Sequence, residues 1–439
     1  MTSANVEIEQ VLPAGSVPGC LGFHLDVPSP GDSSASHALV LSGWALGGDD
    51  PIEQIEIVFE GEVLAAAGLT KDREDVLNQF PEASDLRVGW VTEASLVGLP
   101  EEFELFARVA LKSGERDRLA TIRGRRRRVL PADDSALQPL IVSTYGRTGS
   151  TWLMRLLDQH PATLAYRPFE YEPRAVSYWA AVLGALSQPA SYLQPLATTL
   201  SSEHWWLGDA TVPNDIPQPD PPVKDELSRT GIEAVATLCR ERISSFYEAV
   251  ARTQNKPKPR YFAEKVSPDP TVWRLTTELF PATREVILVR DFRDMACSIL
   301  AYNEKTKVTS FGRERVDTDL EFLQELRTAA KSLVKIHKGR GDSAFLLRYE
   351  DLILEPEPTL FELFEFLDIS SSEETVASVL ERASEETVPM AGHRTSSDPR
   401  QSVGRWQRDL SPEMQEACVE AFDDVLAELG YEPTARILA

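Results

Sequence analysis

Apolar and polar residues alternate along most of the first third of the chain. Four segments show this period-two pattern, or are rich in β-branched and aromatic residues, as strands require: residues 37–46, 54–67, 86–92 and 102–114. Glycine-containing turns separate them, and only residues 72–80 have the apolar spacing of a short helix. The pattern predicts an all-β sandwich over residues 21–130. The polar, Pro- and Gly-containing residues 1–20 are predicted to form a flexible arm.

From residue 140 onward, short apolar runs alternate with longer segments of helical periodicity. The predicted strands are residues 140–144, 261–266, 285–290 and 343–351, and the main predicted helices are residues 150–157, 175–186, 231–252, 271–280, 320–338, 361–367 and 411–429. Strands that are apolar on both faces are typical of a parallel sheet covered by helices. The sequence therefore predicts an α/β domain with a P-loop-like parallel sheet over residues 140–439, joined to the sandwich by a linker at 131–139.

The segment Leu140–Leu157 contains the clearest candidate site. It reads as a buried strand, the turn Tyr145-Gly-Arg-Thr-Gly149, and a helix that opens with Ser150 and Thr151. Glycines let a backbone approach a phosphate closely, and the first N–H groups of a helix attract anions. The turn is therefore predicted to bind an anion, although an ordinary strand–turn–helix connection has the same outline.

Charge and composition narrow the possible ligands. The 439-residue chain has a formal net charge of −24, which argues against nucleic-acid binding. No apolar run is long enough for a transmembrane segment, and the first residues do not resemble a secretory signal. The four cysteines and six histidines are scattered, so we expect no metal site, and reduced thiols in a cytoplasmic protein. An anionic ligand would need a local basic pocket.

The basic run Arg123–Arg128 is the most obvious local concentration of positive charge. It could form a nucleic-acid or membrane patch. In so acidic a chain, an electrostatic clamp between domains or a solvated strand end is the favoured interpretation.

The glycine-rich turn lacks the lysine of nucleotide triphosphatases. In GxxxxGK[ST] a lysine follows the second glycine, whereas Ser150 occupies that position here. Arg147 is the cation within the turn. This difference weakens the prediction of an NTPase or a P-loop kinase.

Four motifs, taken in order, resemble those of PAPS-dependent sulfotransferases. Tyr145-Gly-Arg-Thr-Gly-Ser-Thr-Trp152 is similar to the 5′-phosphosulfate loop YPKSGTTW, with Gly146 in place of proline and Arg147 in place of lysine. Arg290-Asp-Phe-Arg-Asp-Met-Ala-Cys-Ser298 resembles the 3′-phosphate motif. Leu347-Arg-Tyr-Glu-Asp-Leu352 resembles the RYEDL element, and Pro399-Arg-Gln-Ser-Val-Gly-Arg-Trp406 resembles the C-terminal loop that ends in Gly-x-Trp.

This resemblance implies transfer of a sulfuryl group from PAPS to a hydroxyl acceptor, with release of PAP and no metal. The residues expected to bind the 5′-phosphosulfate are Gly146, Arg147, Thr148, Gly149, Ser150 and Thr151. Those expected to bind the 3′-phosphate are Arg290, Ser298 and Arg400. Arg147 would also stabilise the leaving phosphate. For Arg290 the alternative is an ion pair with Asp291 or Asp294.

The segment Arg167-Pro-Phe-Glu-Tyr-Glu172 resembles the glutamate-containing loop of bacterial sugar sulfotransferases. The resemblance implies a general base, Glu170 first and Glu172 second, and a carbohydrate or glycolipid acceptor. Beside an anionic donor, such a carboxylate is expected to have a raised pKa. Pairing with Arg167 or Arg174 is the alternative. Lys265 could contact the donor or acceptor, or pack at the edge of the core.

Two other functions remain open at this point. One is a P-loop kinase, and the other is a non-catalytic glycan-binding protein with a degenerate transferase fold. Binding of PAP in preference to 5′-AMP would separate the sulfotransferase from both.

Overall fold

A computed structural model describes residues 4–80, 87–133, 137–168, 171–187, 229–384 and 398–432. The chain divides into two compact units. The first comprises Met1–Asp133, Tyr178–Arg242 and Thr271–Pro281, and the second comprises Asp134–Ser177, Ile243–Pro270 and Ala282–Ala439.

The first unit contains two antiparallel sheets. Its elements are β1 (Val6–Pro13), β2 (Cys20–Val27), β3 (Ser33–Ser34), β4 (Ala38–Gly47), β5 (Ile52–Phe59), β6 (Glu62–Ala67), β7 (Lys71–Asp72), α1 (Glu74–Gln79), β8 (Arg87–Ser95), β9 (Glu102–Leu111) and β10 (Arg116–Arg126). The strand orders are β3-β1-β10-β9-β5-β6 and β2-β4-β8-β7. Side chains from both sheets, such as Leu41, Trp90 and Leu105, belong to one hydrophobic core. The predicted β-rich N-terminal region is thus confirmed.

Strand β1 corrects the prediction of a flexible arm over residues 1–20. Val6 pairs with Arg126 of β10, and the register continues to Pro13 opposite Ala120. Val6 and Ile8 are buried, while Glu7 and Glu9, which alternate with them, are exposed. The Val-Glu-Ile-Glu alternation is therefore a genuine strand signal, and the flanking prolines and glycines concealed it.

The basic run of residues 123–128 lies at the end of β10. Arg123 pairs with Glu104 at 2.6 Å, and Arg125 pairs with Glu9 at 2.9 Å, in solvent-exposed cross-strand pairs. Arg126 is buried and forms an ion pair with Glu278. Glu278 belongs to the same compact unit, so this pair is an internal anchor of the first unit.

The second unit is built on a parallel sheet. The elements that follow β10 are β11 (Gln138–Ser143), α2 (Ser150–Gln159), β12 (Thr163–Ala165), α3 (Ala175–Ser187), α4 (Gly231–Thr253), β13 (Tyr261–Val266), α5 (Pro270–Leu279), β14 (Arg284–Val289), α6 (Phe292–Thr306), α7 (Asp319–Arg340), β15 (Ala344–Arg348), α8 (Tyr349–Leu354), α9 (Pro356–Phe366), α10 (Glu373–Ala383), α11 (Trp406–Asp409) and α12 (Pro412–Glu428). Most of α3, the first half of α4 and nearly all of α5 belong to the first unit. The strand order of the second unit is β12-β13-β11-β14-β15, and every pairing is parallel.

Strand β14 shows why these strands read as continuous apolar runs. Val286 and Leu288 belong to a core cluster with α2, α9 and α10, whereas Ile287 and Val289 belong to a second cluster with α6, α7 and α12. Successive side chains of a strand point to opposite faces, so both faces of β14 are buried against helices. The predicted α/β fold with a helix-covered parallel sheet is confirmed.

One predicted strand is too long. Residues 343–351 were expected to form a single strand, but β15 ends at Arg348 and α8 begins at Tyr349. Glu350 and Asp351 lie in the first turn of α8, where carboxylates interact favourably with the helix dipole. Among the described helices, none is both long and apolar enough to cross a membrane.

The parallel topology also fixes where a site can form. The segments that follow β11, β13, β14 and β15 all leave the same edge of the sheet, because parallel strands share a direction. The glycine-rich turn, Lys265, Arg290 and Tyr349 therefore lie at or near one edge.

Candidate functional site

The glycine-rich turn joins β11 to α2 in a conformation that requires both glycines. Gly149 has φ 88° and directly precedes the first residue of α2. A Cβ atom at Gly149 would overlap the ring of Tyr349, and one at Gly146 would overlap the ring of Phe311. Arg147 also lies in the left-handed region, at φ 69°. Such a conformation is uncommon for a residue with a Cβ atom, and it persists only where the surroundings hold it.

Thr148 holds the turn together from inside. It is buried, its Oγ1 lies 2.5 Å from Thr144 Oγ1, and it donates to the carbonyl of Tyr145 at 3.0 Å. Its hydroxyl, predicted to bind phosphosulfate, is thus already engaged within the turn. By contrast, the hydroxyls of Ser150 and Thr151 make no hydrogen bond in the described part of the chain. The first N–H groups of a helix lack intrahelical acceptors, and in α2 no N-cap side chain accepts from them.

Arg290 lies directly beyond the end of β14 and connects two segments of the site. Its guanidinium donates to the carbonyl of Arg147 at 3.1 Å and to the carbonyl of Ser402 at 2.7 Å. It also lies over the ring of Tyr349, 4.7 Å from the centroid. Its Nε is buried and has no hydrogen-bond partner in the described residues. A buried, unpaired donor of this kind is costly unless a ligand accepts from it.

Arg147 and Ser298 meet, although they are far apart in sequence. Arg147 Nε donates to Ser298 Oγ at 3.3 Å, and the guanidinium lies 4.6 Å from the ring centroid of Tyr302. Ser298 is buried in α6. Burial lowers the pKa of Arg147, and the charges of Arg290 and Arg405 lower it further, against a smaller opposing effect of Tyr302. Positive charges are therefore concentrated here at an electrostatic cost, which a bound anion would relieve.

Asp294 fixes the C-terminal loop to the start of α6. Its carboxylate accepts from the N–H of Gly404 at 2.6 Å and of Trp406 at 2.9 Å. Burial raises the pKa of Asp294 to about 6, with a further contribution from Asp291, while the two N–H groups and Arg290 act in the opposite direction. The carboxylate of Asp294 thus accepts hydrogen bonds from backbone N–H groups. Asp291 forms an ion pair with Arg293, with 2.7 Å between its Oδ2 and the arginine Nη2. Arg290 forms an ion pair with neither carboxylate in the described structure.

The structure brings together three of the residues predicted to bind phosphate, and leaves a fourth apart from them. Arg147, Arg290 and Ser298 are brought together with the glycine-rich turn. Arg400 is exposed, and its backbone N–H donates to the carboxylate of Asp398 at 2.9 Å. The structure therefore gives Arg400 a place in the C-terminal loop but no contact with Arg290 or Ser298 among the described residues.

Sequence reasoning missed three relationships around the turn. Ser402 supplies a carbonyl to Arg290, and its Oγ lies 2.9 Å from Tyr349 OH, which joins that ring to the site. Arg405, buried and paired with Asp409 at 2.8 Å, contributes positive charge near Arg147. The sequence signal that could have identified Arg405 was its position as a cation within Gly404-Arg405-Trp406 of the C-terminal loop.

The first candidate base, Glu170, lies outside the described residues. The second, Glu172, accepts a salt bridge from Lys265 Nζ at 2.7 Å and from Arg174 at 2.7 Å. Burial alone would raise the pKa of Glu172, but the hydrogen bonds from Lys265 and Arg174 outweigh it, and the net shift is downward. The two cations thus shift the pKa of Glu172 in the direction opposite to the one expected for a carboxylate beside an anionic donor. Its pairing with Arg174 is the alternative raised for this segment.

Comparison with known proteins identifies the fold family. Residues 137–430 match the sulfotransferase domain. Similar solved structures include the sulfotransferase domain of the olefin synthase of Synechococcus PCC 7002, at 16% identity and a TM-score of 0.38, covering 69% of this chain and 99% of that one. Mouse SULT7A1 complexed with PAP matches at 12% identity and a TM-score of 0.35, covering 67% and 85%. Sulfotransferase STF9 of Mycobacterium avium matches at 17% identity and a TM-score of 0.32, covering 67% and 78%.

No functionally curated protein matches the sequence significantly. The domain match nevertheless spans about two thirds of the chain and contains all four motifs of the site. The chain belongs to the sulfotransferase family.

Proposed function

We propose that this protein transfers the sulfuryl group of PAPS to a hydroxyl of a carbohydrate or glycolipid and releases PAP. The observation that carries the proposal is the placement of Arg290. Its guanidinium is held between the glycine-rich turn and the C-terminal loop, and its buried Nε has no partner among the described residues.

Two anion-binding regions support PAPS as the donor. The N–H groups at the start of α2, with the hydroxyls of Ser150 and Thr151, suit the 5′-phosphosulfate. Arg290 and Ser298 suit the 3′-phosphate, since a guanidinium fork matches phosphate oxygens. We keep Arg400 as a third candidate for this phosphate. A second phosphate on the ribose is what separates PAPS from ATP.

Arg147 is proposed to stabilise the charge that develops on the leaving phosphate. It lies in the turn itself, where burial and the charge of Arg290 lower its pKa, and electrostatic stabilisation of an anion is strongest in such a poorly solvated environment. An arginine holds its proton, so this role is electrostatic. Transfer then depends on positioning the acceptor hydroxyl and removing its proton.

Glu170 is proposed as the general base that takes this proton. Glu172, two residues later, is bound by two cations and therefore suits a structural role better. The two ion pairs of Glu172 therefore favour Glu170 as the base. The carbohydrate acceptor is proposed because residues 167–172 resemble the glutamate-containing loop of bacterial sugar sulfotransferases.

Nucleotide titration tests the donor assignment. Calorimetry with PAP, 5′-AMP and ATP should give binding of PAP at least about tenfold tighter than that of the other two, because the 3′-phosphate adds charge-assisted hydrogen bonds. Arg290→Ala and Ser298→Ala should remove most of this preference. PAP binding no tighter than 5′-AMP would overturn the proposal, and tighter binding of ATP would favour a kinase.

An acceptor screen tests the reaction. Labelled PAPS would be offered with sugars, glycolipids and phenols, and sulfated products would be counted. Glu170→Gln should lose turnover by about a hundredfold or more while retaining PAP affinity, whereas Glu172→Gln should retain more activity. Full turnover by Glu170→Gln would exclude this base. PAP binding without transfer to any acceptor would favour the non-catalytic glycan-binding alternative.

A further inference from the structure

The segment after the proposed base is held in a strained backbone conformation. Tyr171 has φ 65° and Arg174 has φ 54°, so two residues with Cβ atoms lie in the left-handed region within four positions. Such conformations persist only where surrounding contacts impose them, and they concentrate at functional sites. The contacts that hold residues 171–176 are therefore informative.

Strand β13 supplies two of these contacts through neighbouring residues. Lys265 binds the carboxylate of Glu172 at 2.7 Å. Glu264, which is fully buried, accepts from the backbone N–H of Val176 in the first turn of α3, at 3.2 Å to Oε1 and 3.4 Å to Oε2. The two side chains thus hold the segment at both ends.

Glu264 is itself held rigidly. The hydroxyl of Tyr247 donates to its Oε1 at 2.7 Å. The Tyr247 ring is fully buried and stacks on Phe262 of β13, with centroids 4.0 Å apart and planes 3° apart. A carboxylate buried this deeply is costly, and the described residues that hydrogen-bond to Glu264 include no cation.

We infer that Glu264, oriented by Tyr247, is a positioning residue that fixes residues 171–176. This inference rests on the proposed function, because residues 171–176 follow the proposed base directly in sequence and are thereby assigned to the acceptor side of the site. The role requires an acceptor oxygen at position 264 and does not require a negative charge.

Hydrogen exchange of the full chain, followed by mass spectrometry, tests the inference without an acceptor. In Glu264→Ala, amides of residues 171–176 should exchange at least about tenfold faster than in the wild type, while peptides from β14 and α7 remain unchanged. Glu264→Gln retains an acceptor oxygen and should restore slow exchange. Tyr247→Phe, which removes only the orienting hydroxyl, should give an intermediate increase and carries the test if Glu264→Ala does not fold.

Glu350→Ala is the matched control. Glu350 is partly buried, and it accepts from the hydroxyl of Tyr431 at 2.8 Å and from the N–H of Asp291 at 2.9 Å. Its loss should leave the exchange of residues 171–176 unchanged. Equal acceleration in Glu350→Ala, failure of Glu264→Gln to restore protection, or unchanged exchange in both Glu264→Ala and Tyr247→Phe would overturn the inference.

PAP titration of the same proteins separates this inference from the donor assignment. Glu264→Ala should bind PAP within about twofold of the wild type, since it contacts no described donor-binding residue. Failure of the wild type to bind PAP would overturn the proposed donor, and the exchange data would still decide the role of Glu264.

Discussion

Arg290 donates a hydrogen bond to the backbone carbonyl of Arg147 at 3.1 Å. The residue assigned to one anion therefore also shapes the turn assigned to the other. The left-handed conformation of Arg147, at φ 69°, aims this carbonyl at a fixed guanidinium. This hydrogen bond therefore links the two halves of the proposed donor site directly.

Arg290→Lys is expected to weaken PAP binding by about tenfold to a hundredfold, because a lysine cannot make the two carbonyl contacts and face a phosphate at once. Calorimetric titration with PAP measures the loss. Arg284→Lys, at the opposite end of the same strand, is the matched control and should retain affinity. Wild-type affinity in Arg290→Lys would contradict the assigned role.

Arg147→Lys is expected to make PAP binding dependent on pH. Burial and the nearby charges of Arg290 and Arg405 lower the pKa of Arg147, and a lysine at this position would experience the same effects. Its ordinary pKa is about 10.4, so a lowered value would bring deprotonation into the measurable range, whereas arginine stays charged. PAP affinity measured between about pH 6 and pH 10 should fall at the alkaline end for the variant and stay flatter for the wild type. Parallel profiles would show that the arginine does not lie in the electrostatic environment described.

Gly149→Ala should destabilise the protein by more than its backbone angle alone predicts. A left-handed alanine costs about 1 kcal/mol, and overlap of the new Cβ with Tyr349 adds to that cost. Gly114 has a similar φ of 94°, and a Cβ there would meet no atom within 4 Å, so Gly114→Ala isolates the backbone cost. The free energy of unfolding in urea measures both variants, and equal losses would contradict the close packing of Tyr349 on the turn.

Ionisation of the Glu264 carboxyl should lower the free energy of unfolding as the pH rises. Burial raises its pKa from 4.5 to about 7, so the folded chain holds the proton to a higher pH than the unfolded chain does. Ionisation therefore opposes folding, and stability is lost between about pH 4.5 and pH 7, on the order of 3 kcal/mol for a shift of this size. The difference in unfolding free energy between wild type and Glu264→Gln should change across this window. A constant difference would show that the carboxyl ionises without cost.

Glu278→Ala is expected to cost about 3 to 5 kcal/mol, because it leaves Arg126 as an unpaired buried charge. Glu278 also accepts from the N–H of Val129 at 2.5 Å, which adds to the loss. Glu9→Ala removes one of the two partners of an exposed arginine, Arg125, and should cost less than about 1 kcal/mol. Chemical denaturation compares the two, and similar values would contradict the burial of the Arg126 pair.

The sequence reveals patterns that are local and hides those that depend on tertiary contacts. The strand, turn and helix at residues 138–159 could be predicted, because apolar periodicity and two glycines lie within one short segment. The strand at residues 6–13 could not, since its two buried residues gain meaning only from pairing with β10. Thr148 illustrates the same limit within the site: its motif position suggested a ligand contact, but Thr144, four residues away, takes up its hydroxyl. Arg405 was passed over because nothing in the sequence places it beside Arg147.

The contact of Asp294 with Gly404 and Trp406 has a consequence for the order of assembly. The proposed donor site draws on a turn at residues 145–149, a strand end at Arg290 and a loop that begins near residue 398. All five strands of the parallel sheet end at or before Arg348, so a growing chain contains the complete sheet before it contains this loop. The sheet can therefore form before the proposed donor site is complete. Under the proposed function, the bound nucleotide would in turn link the two ends of the catalytic unit, and its concentration would set how strongly that unit resists unfolding.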